Sequence, residues 1–252
     1  MEPVRSHRSR LVVDAARLHR ARVRHQRGQT LVEGPHLVEE AVKAELTVSA
    51  VFVHVHDERG ADLALRAGLE PLLVDAAALK RLAGTESPRG PVAVVQIPEE
   101  RLNAEKDLLV SWGVSDPGNV GSLLRIAWAF DWGYAYTPNS ADPWSPKALR
   151  AGAGGQLHVP VARIENLAEL DAWTTVATVV TGGERLVRPA PGPVAVLVGE
   201  EAAGLPGEVV SSADVRLSVP MPGNAESLNA AVAAGIVVNR LTKGGGEGDG
   251  EV

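Results

Sequence analysis

The sequence contains no cysteine among its 252 residues. Disulfides, thiolate metal sites and cysteine nucleophiles are therefore excluded, and any chemistry must use oxygen and nitrogen groups. Long apolar runs are also lacking, since the longest, Ala230 to Val238, is far short of the ~20 residues of a bilayer-spanning helix. The N-terminus carries arginines without a following apolar segment, so no export signal is indicated and we expect a cytoplasmic protein.

Familiar nucleotide-binding and metal-binding signatures are missing as well. No G-x-G-x-x-G follows a predicted strand and no phosphate-loop motif is present, which argues against a nicotinamide-dependent dehydrogenase. His54 and His56 lie on one face of a predicted strand and could ligate a metal with Asp57 or Glu58. Two ligands without a placed third are more typical of surface histidines, so we expect no metal site.

Acidic residues outnumber basic residues in the whole chain, but the basic residues are concentrated at one end. The formal net charge is -6, yet residues 1–30 contain eight arginines against Glu2 and Asp14. An amphipathic helix with a polar side of arginine and histidine is indicated there by Leu11, Val12, Ala15, Ala16, Leu18 and Val23. Such a side is either a solvated helix face or a surface that pairs with the phosphates of a nucleic acid.

Alternating strand and helix patterns predict an α/β protein with two domains. Residues 1–100 form a small α/β unit, and the charged, proline-containing stretch before Leu108 supplies a linker at 101–107. In residues 108–243, short apolar strands between helices indicate a mostly parallel sheet covered on both faces. Expected elements there include a strand at LHVPV, a helix from Leu167 to Trp173 and a long helix from Ser227 to Leu241. The glycine-rich tail at 244–252 should be disordered.

Three polar, glycine-rich segments in the second domain fall where strands should end. They are DPGNVGSLLR from Asp116 to Arg125, VGEEAAGLP from Val198 to Pro206, and VPMPGNAESLN from Val219 to Asn229. Open parallel sheets bind their ligands at this edge. Each segment alone could be an ordinary turn or helix start.

Together and in this order, the three segments resemble the signature motifs of the SpoU branch of the SPOUT RNA methyltransferases. DPWSPKALRAGAGG, from Asp142 to Gly155, resembles the stretch between the first two motifs. RGQTLVEGPHLVEEAV (27–42) and SPRGPVAVV (87–95) are similar to a small α/β RNA-binding domain often fused to this catalytic domain. The resemblance implies a trefoil-knotted parallel-sheet domain, a homodimer, and transfer of a methyl group from S-adenosylmethionine to a ribose 2'-hydroxyl of RNA.

The resemblance also implies the site residues. Catalytic side chains would be Asn119, Arg125, Glu201, Ser227 and Asn229, and cofactor contacts would be Thr181, Gly182, Gly199, Val219, Met221 and Leu228. We expect the arginine to hold a phosphate, because a guanidinium stays protonated and makes a poor base. An RNA phosphate, a water or the glutamate could accept the proton of the hydroxyl, and the sequence does not choose among them.

Two positions depart from the pattern of the family. Ala202 follows the glutamate where glycine is common, and Gly152 replaces a frequent serine. The alanine narrows the expected cofactor loop and the glycine removes a polar contact. We therefore expect weak binding of cofactor in the absence of RNA.

Charge and placement predict the RNA contacts, which are Arg22, Arg24, Arg27, Arg89, Lys147 and Arg150. Large-subunit ribosomal RNA is the expected substrate, since the fused N-terminal domain is commoner among family members that act on ribosomal RNA. The alternatives are a transfer-RNA ribose methyltransferase and an RNA-binding protein whose catalytic domain has decayed. All five catalytic-type side chains are present, which favours an active enzyme.

Overall fold

The computed structural model describes residues 4–88, 90–184, 187–189, 191–223 and 226–243. The chain forms two compact units. Among the described residues, the first comprises 4–99 together with 142–158, and the second comprises 100–141 together with 159–243. The predicted disordered tail at 244–252 lies outside the described residues.

The first unit is a four-stranded mixed sheet with helices. Its elements are α1 (Arg10–Ala16), α2 (Ala21–Arg27), β1 (Gln29–Glu33), α3 (Pro35–Lys43), β2 (Val48–His54), α4 (Glu58–Arg66), β3 (Leu72–Val74), α5 (Ala76–Ala83) and β4 (Val92–Gln96). The strand order is β1-β4-β2-β3, with β4 antiparallel to both neighbours and β2 parallel to β3. Short local signals set these bounds, since α5 begins after Asp75, whose carboxylate accepts from the Ala78 N–H, and ends at the left-handed Gly84.

The arginine-rich arm is two short helices rather than the one amphipathic helix that its spacing predicted. A 3-10 turn, Arg17–His19, interrupts it, and Arg20 takes an extended backbone conformation before α2. The interruption buries Leu18 in the core of the first unit, where it packs with α5 residues such as Leu82. Burial of that side chain therefore overrides the regular helical period.

The stretch from residue 142 to 158 packs with the first unit although it lies within the second half of the sequence. It contains α7, Pro146–Ala151. The Thr30 hydroxyl donates to the Trp144 carbonyl at 2.6 Å, and the His158 ring lies 2.9 Å from a carboxylate oxygen of Glu40. Its burial partners are thus the N-terminal strands and helices, which the sequence motifs alone did not indicate.

The second unit is a six-stranded, fully parallel sheet. Its elements are β5 (Leu108–Ser111), α6 (Pro117–Ala129), β6 (Gly133–Tyr136), β7 (Val161–Arg163), β8 (Thr174–Thr178), β9 (Val194–Val198), α8 (Gly207–Ser212), β10 (Val215–Leu217) and α9 (Ala230–Lys243). The strand order is β10-β8-β9-β5-β6-β7. Every residue of β9 and β5 is buried, as expected for central strands covered on both faces. The predicted α/β class with a parallel sheet is confirmed.

Several predicted elements differ in extent. The strand expected at LHVPV is instead Val161–Arg163, because Pro160 has no N–H to donate to the ladder. The helix expected from Leu167 to Trp173 is a 3-10 turn, Leu167–Leu170. The last helix begins at Ala230, not at Ser227. In the described part of the chain no helix has both the length and the apolar character required to span a membrane.

Candidate active site

Side chains from the three glycine-rich segments meet in one hydrogen-bonded cluster. The Asn119 amide donates to Glu201 Oε1 at 3.0 Å. The Asn229 amide donates to Asn119 Oδ1 at 3.1 Å and also to Glu201 Oε1. Three of the five predicted catalytic side chains are therefore in direct contact, although up to 110 positions separate them in sequence.

Helix starts fix two members of this cluster. The Asp116 carboxylate accepts from the Asn119 N–H at 3.0 Å, and Pro117 occupies the first turn of α6, so Asn119 is held at the carboxyl end of β5. Asn229 precedes α9, and its side-chain oxygen accepts from the N–H groups of Ala231 and Val232 at 3.0 and 3.2 Å. With its oxygen used as a cap, its NH2 group is free to face the carboxylate.

A tight loop after β9 presents Glu201. The Gly204 N–H donates to the Glu200 carbonyl at 2.8 Å and closes the loop. A Cβ at Gly199 would lie 2.3 Å from the Gly204 carbonyl carbon, so only glycine allows this closure. The Glu200 carboxylate accepts from the Ser115 N–H at 2.8 Å and so ties this loop to the one that precedes α6.

Arg125 and Ser227, the other two predicted catalytic residues, do not join the cluster. Arg125 is exposed and lies six residues beyond Asn119, on a different face of α6 at 3.6 residues per turn. Within the described part of the chain it makes no hydrogen bond or ion pair. Ser227 is exposed and lines the neighbouring cavity instead.

A cavity of about 230 Å³ adjoins the cluster, and Glu201 is part of its wall. Four of the six predicted cofactor residues line it, namely Gly199, Val219, Met221 and Leu228. Thr181 and Gly182 do not, although the preceding Val179 and Val180 do. The loops after β8, β9 and β10 thus form one pocket at the carboxyl ends of three adjacent strands, where parallel sheets bind ligands.

The lining fits a cofactor with an apolar body and a positive centre. Its walls are mainly aliphatic side chains and backbone, including Val198, Leu217 and Val237, while Glu200 and Glu201 supply the charged groups. An adenine ring suits such aliphatic walls, and carboxylates attract a sulfonium or ammonium group. S-adenosylmethionine has both features, so the residues present fit this cofactor.

The predicted RNA contacts have different surroundings. Arg22 is exposed on α2. Arg27 donates to both carboxylate oxygens of Asp14 at 2.8 Å, and this hydrogen bond lowers the pKa of Asp14. Arg150 donates to Glu33 at 3.1 Å, and Lys147 is exposed on α7. Arg89 lies outside the described residues.

Arg24 is a correction, because its side chain is only 4% exposed. It donates to Asp142 through two nitrogens, with Nε at 2.9 Å, and to the carbonyls of Leu18 and His19 at 2.8 and 2.9 Å. A guanidinium enclosed in this way does not reach a phosphate. Arg24 holds the stretch around residue 142 in the first unit, which its position in an arginine-rich helix did not reveal.

Glu200 was not among the predicted site residues, although it lines the cavity and ties its loop to the one before α6. It stands next to Glu201 in the sequence, and the sequence does not show which of the two carboxylates faces which loop.

The described residues contain no cluster of three or more potential metal ligands. The rings of His54 and His56 lie 5.5 Å apart and tilted.

The sequence matches two known domain families. Residues 107–239 match the SpoU rRNA Methylase family, and residues 11–93 match the MRM3-like substrate binding domain. Over 249 residues the chain is 33% identical to the 23S rRNA (guanosine(2553)-2'-O)-methyltransferase RlmP of Bacillus subtilis (strain 168). That match covers 96% of this chain and 99% of the relative.

Solved structures of other methyltransferases are similar to this structure over nearly the whole chain. The SpoU methyltransferase AviRb from Streptomyces viridochromogenes, in complex with AdoMet, is 26% identical with a TM-score of 0.80, covering 94% of this chain and 98% of that one. An AdoMet-bound rRNA methyltransferase from Sinorhizobium meliloti is also 26% identical with a TM-score of 0.80, covering 94% and 97%.

Proposed function

The chain belongs to the SpoU rRNA methylase family, as its motifs indicated, and on that premise we propose that it methylates a ribose 2'-hydroxyl in large-subunit ribosomal RNA. The observation that carries the proposal is the contact of Asn119, Glu201 and Asn229 at the wall of an apolar cavity. The relative RlmP is named for a 2'-O-methylation of 23S rRNA. S-adenosylmethionine is the proposed cofactor, in line with the AdoMet held by the two similar structures.

In the proposed reaction the bound cofactor supplies an electrophilic methyl group on a positively charged sulfur. The protein holds the hydroxyl next to it. Glu201 Oε1 already accepts from two amides, so Oε2 is the oxygen available to accept a hydrogen bond from the ribose. As the new O–C bond forms and the S–C bond breaks, the hydroxyl proton passes to this carboxylate, to a phosphate or to water.

Arg125 holds the neighbouring phosphate and is supplied by a second copy of the chain. Within one chain it lies on another face of α6 from Asn119 and has no partner among the described residues. On α9, which packs against α6, Val232 and Ile236 are 53% and 36% exposed one turn apart. Exposed aliphatic side chains of this kind favour burial in a homodimer.

The remaining parts of the assignment follow the family. Residues 108–243, apart from the stretch 142–158 that packs with the first unit, form the methyltransferase domain, with a trefoil knot in the loops that carry the second and third motifs. Residues 101–107 are the linker that leads into it. Residues 1–100 bind RNA, supported by the match of residues 11–93 to a substrate binding domain. Arg22, Arg27, Arg89, Lys147 and Arg150 are the proposed phosphate contacts. Because ribosomes are its proposed target, the protein acts in the cytoplasm.

Methyl transfer from labelled cofactor to separate pools of 23S, 16S and transfer RNA tests the function. We expect transfer to 23S RNA by the wild type and at least a 100-fold loss of kcat in Asn119→Ala and Glu201→Gln. Glu70→Gln, at an exposed glutamate in the first unit, is the matched control and should be unaffected. Transfer to transfer RNA alone would overturn the substrate, and RNA binding without transfer would identify a decayed enzyme.

The dimer is tested by mixing two inactive variants, Asn119→Ala and Arg125→Ala. If Arg125 crosses the interface, a mixed dimer contains one intact site. Equal mixing and subunit exchange then restore about a quarter of the wild-type activity. No recovery in a mixture shown to contain mixed dimers would place both residues in one subunit and contradict the proposal.

A further inference from the structure

A second cavity, of about 280 Å³, lies at the carboxyl ends of β5, β6 and β7. Its lining includes Trp112, Thr137, Asn139, Glu165, Glu200 and Gly204. Glu200 and Gly204 also line the cavity of about 230 Å³ that adjoins the Asn119–Glu201–Asn229 cluster, which we call the cofactor cavity. The two cavities are therefore neighbours that share the loop carrying Glu201.

The two cavities differ in chemistry. The cofactor cavity has aliphatic walls, whereas the second cavity contains an indole, a carboxamide and two carboxylates. Among the described residues, no lysine or arginine lines it, so a phosphate would be repelled rather than bound. An aromatic plane beside hydrogen-bonding groups is the arrangement that binds an unstacked nucleobase.

Trp112 is held in place by the fold. Its backbone N–H donates to the Val198 carbonyl at 2.8 Å, and its half-buried ring packs against core residues of the second unit. The next residue, Gly113, donates its N–H to the Thr137 hydroxyl at 2.9 Å. A ring fixed in this way offers a stacking surface with little loss of conformational entropy on binding.

The polar groups of the cavity are mostly acceptors. Asn139 is exposed and makes no hydrogen bond in the described part of the chain. Glu200 uses Oε2 for the Ser115 N–H and retains Oε1, while Glu165 pairs with Arg163 at 2.8 Å through Oε1 and retains Oε2. Carboxylates select bases that present N–H donors. Guanine presents two adjacent donors, its N1–H and its N2 amino group, whereas adenine and cytosine present an amino group alone and uracil presents a single ring N–H.

We propose that this cavity binds the base of the methylated nucleotide, that the base is guanine, and that Trp112, Asn139 and Glu165 determine this specificity. The inference rests on the proposed function, because the ribose must sit beside Glu201 for its base to enter the adjacent cavity. The base leaves its stack, lies against the Trp112 ring and donates to the carboxylate and carboxamide oxygens.

Steady-state kinetics on 23S RNA test the proposal with Trp112→Phe, Trp112→Leu, Asn139→Ala and Glu165→Gln. We expect KM for RNA to rise about 10-fold in Trp112→Leu, which lacks a stacking face, and to change little in Trp112→Phe. Asn139→Ala and Glu165→Gln should raise the same KM several-fold. Cofactor affinity by calorimetry should stay at the wild-type value in all four, and Glu105→Gln, at an exposed glutamate outside the cavity, is the matched control.

Competition by free nucleoside monophosphates tests the identity of the base. GMP should inhibit transfer competitively with RNA and more strongly than AMP, CMP or UMP, and Trp112→Leu should abolish the difference. Unchanged KM in Asn139→Ala and Trp112→Leu, or equal inhibition by all four nucleotides, would overturn the proposal. A wild-type protein that transfers no methyl group to RNA would instead remove the proposed function. GMP binding measured by calorimetry would then still test the cavity.

Discussion

Replacement of Gly199 by alanine should separate cofactor binding from folding. The added Cβ would lie 2.3 to 2.4 Å from the Gly204 carbonyl group and the Leu205 nitrogen, and backbone atoms cannot move aside as a flexible side chain could. The loop must therefore open. Opening breaks the 2.8 Å bond from Gly204 N to the Glu200 carbonyl, at a cost of about 1 kcal/mol, and forced overpacking adds about 1–3 kcal/mol.

The larger effect should be on function, because the same loop carries Glu201 and lines the cofactor cavity. We expect a fall in the free energy of unfolding of about 2–4 kcal/mol and loss of measurable cofactor binding by calorimetry. Gly207→Ala is the matched control, since no atom of the described residues lies within 4 Å of its added Cβ and it begins α8. Its stability should stay equal or rise slightly. Wild-type cofactor affinity in Gly199→Ala would refute the reasoning.

Three further outcomes are expected. Arg24→Ala should lower the free energy of unfolding, measured by urea denaturation, by about 3 kcal/mol, because it leaves the Asp142 carboxylate without its buried partner. A loss under 1 kcal/mol would contradict the structural role of Arg24. The pKa of Asp214 is lowered by hydrogen bonds from the Thr175 hydroxyl and N–H, so its stabilisation is present above the unfolded-state pKa and is lost as pH falls through the folded-state pKa. Asp214→Asn should therefore destabilise the protein at pH 7 but not at the acid end of a pH series. Asp171→Asn is the control, at an aspartate that is equally exposed but receives no hydrogen bond from Thr175. A difference that stays constant with pH would show that ionisation is irrelevant. Calorimetry should show weak cofactor binding by the free protein and tighter binding with RNA present, and tight binding by the protein alone would be the contrary result.

Local signals explain what could be predicted from the sequence. Local signals lie at the ends of helices such as α5 and α7. Each helix follows an Asp or Ser whose side chain accepts from an N–H of the first turn, and each ends before a glycine. These signals act within a few residues. The parallel sheet followed from short, wholly apolar strands such as β9. The three motif segments were recognised for the same reason, since each is continuous in the chain.

Contacts between distant residues were decided only by the tertiary structure. Asn119 meets Glu201 because β9 pairs directly with β5, so the loops that follow these two strands lie side by side. Arg24 and Arg22 share a short helix, yet one is enclosed by Asp142 and two carbonyls while the other faces solvent. Helix propensity and local charge can be read from residues that are close in sequence. Burial and hydrogen-bond partners depend on which strands pair. That pairing is settled by the packing of the whole core.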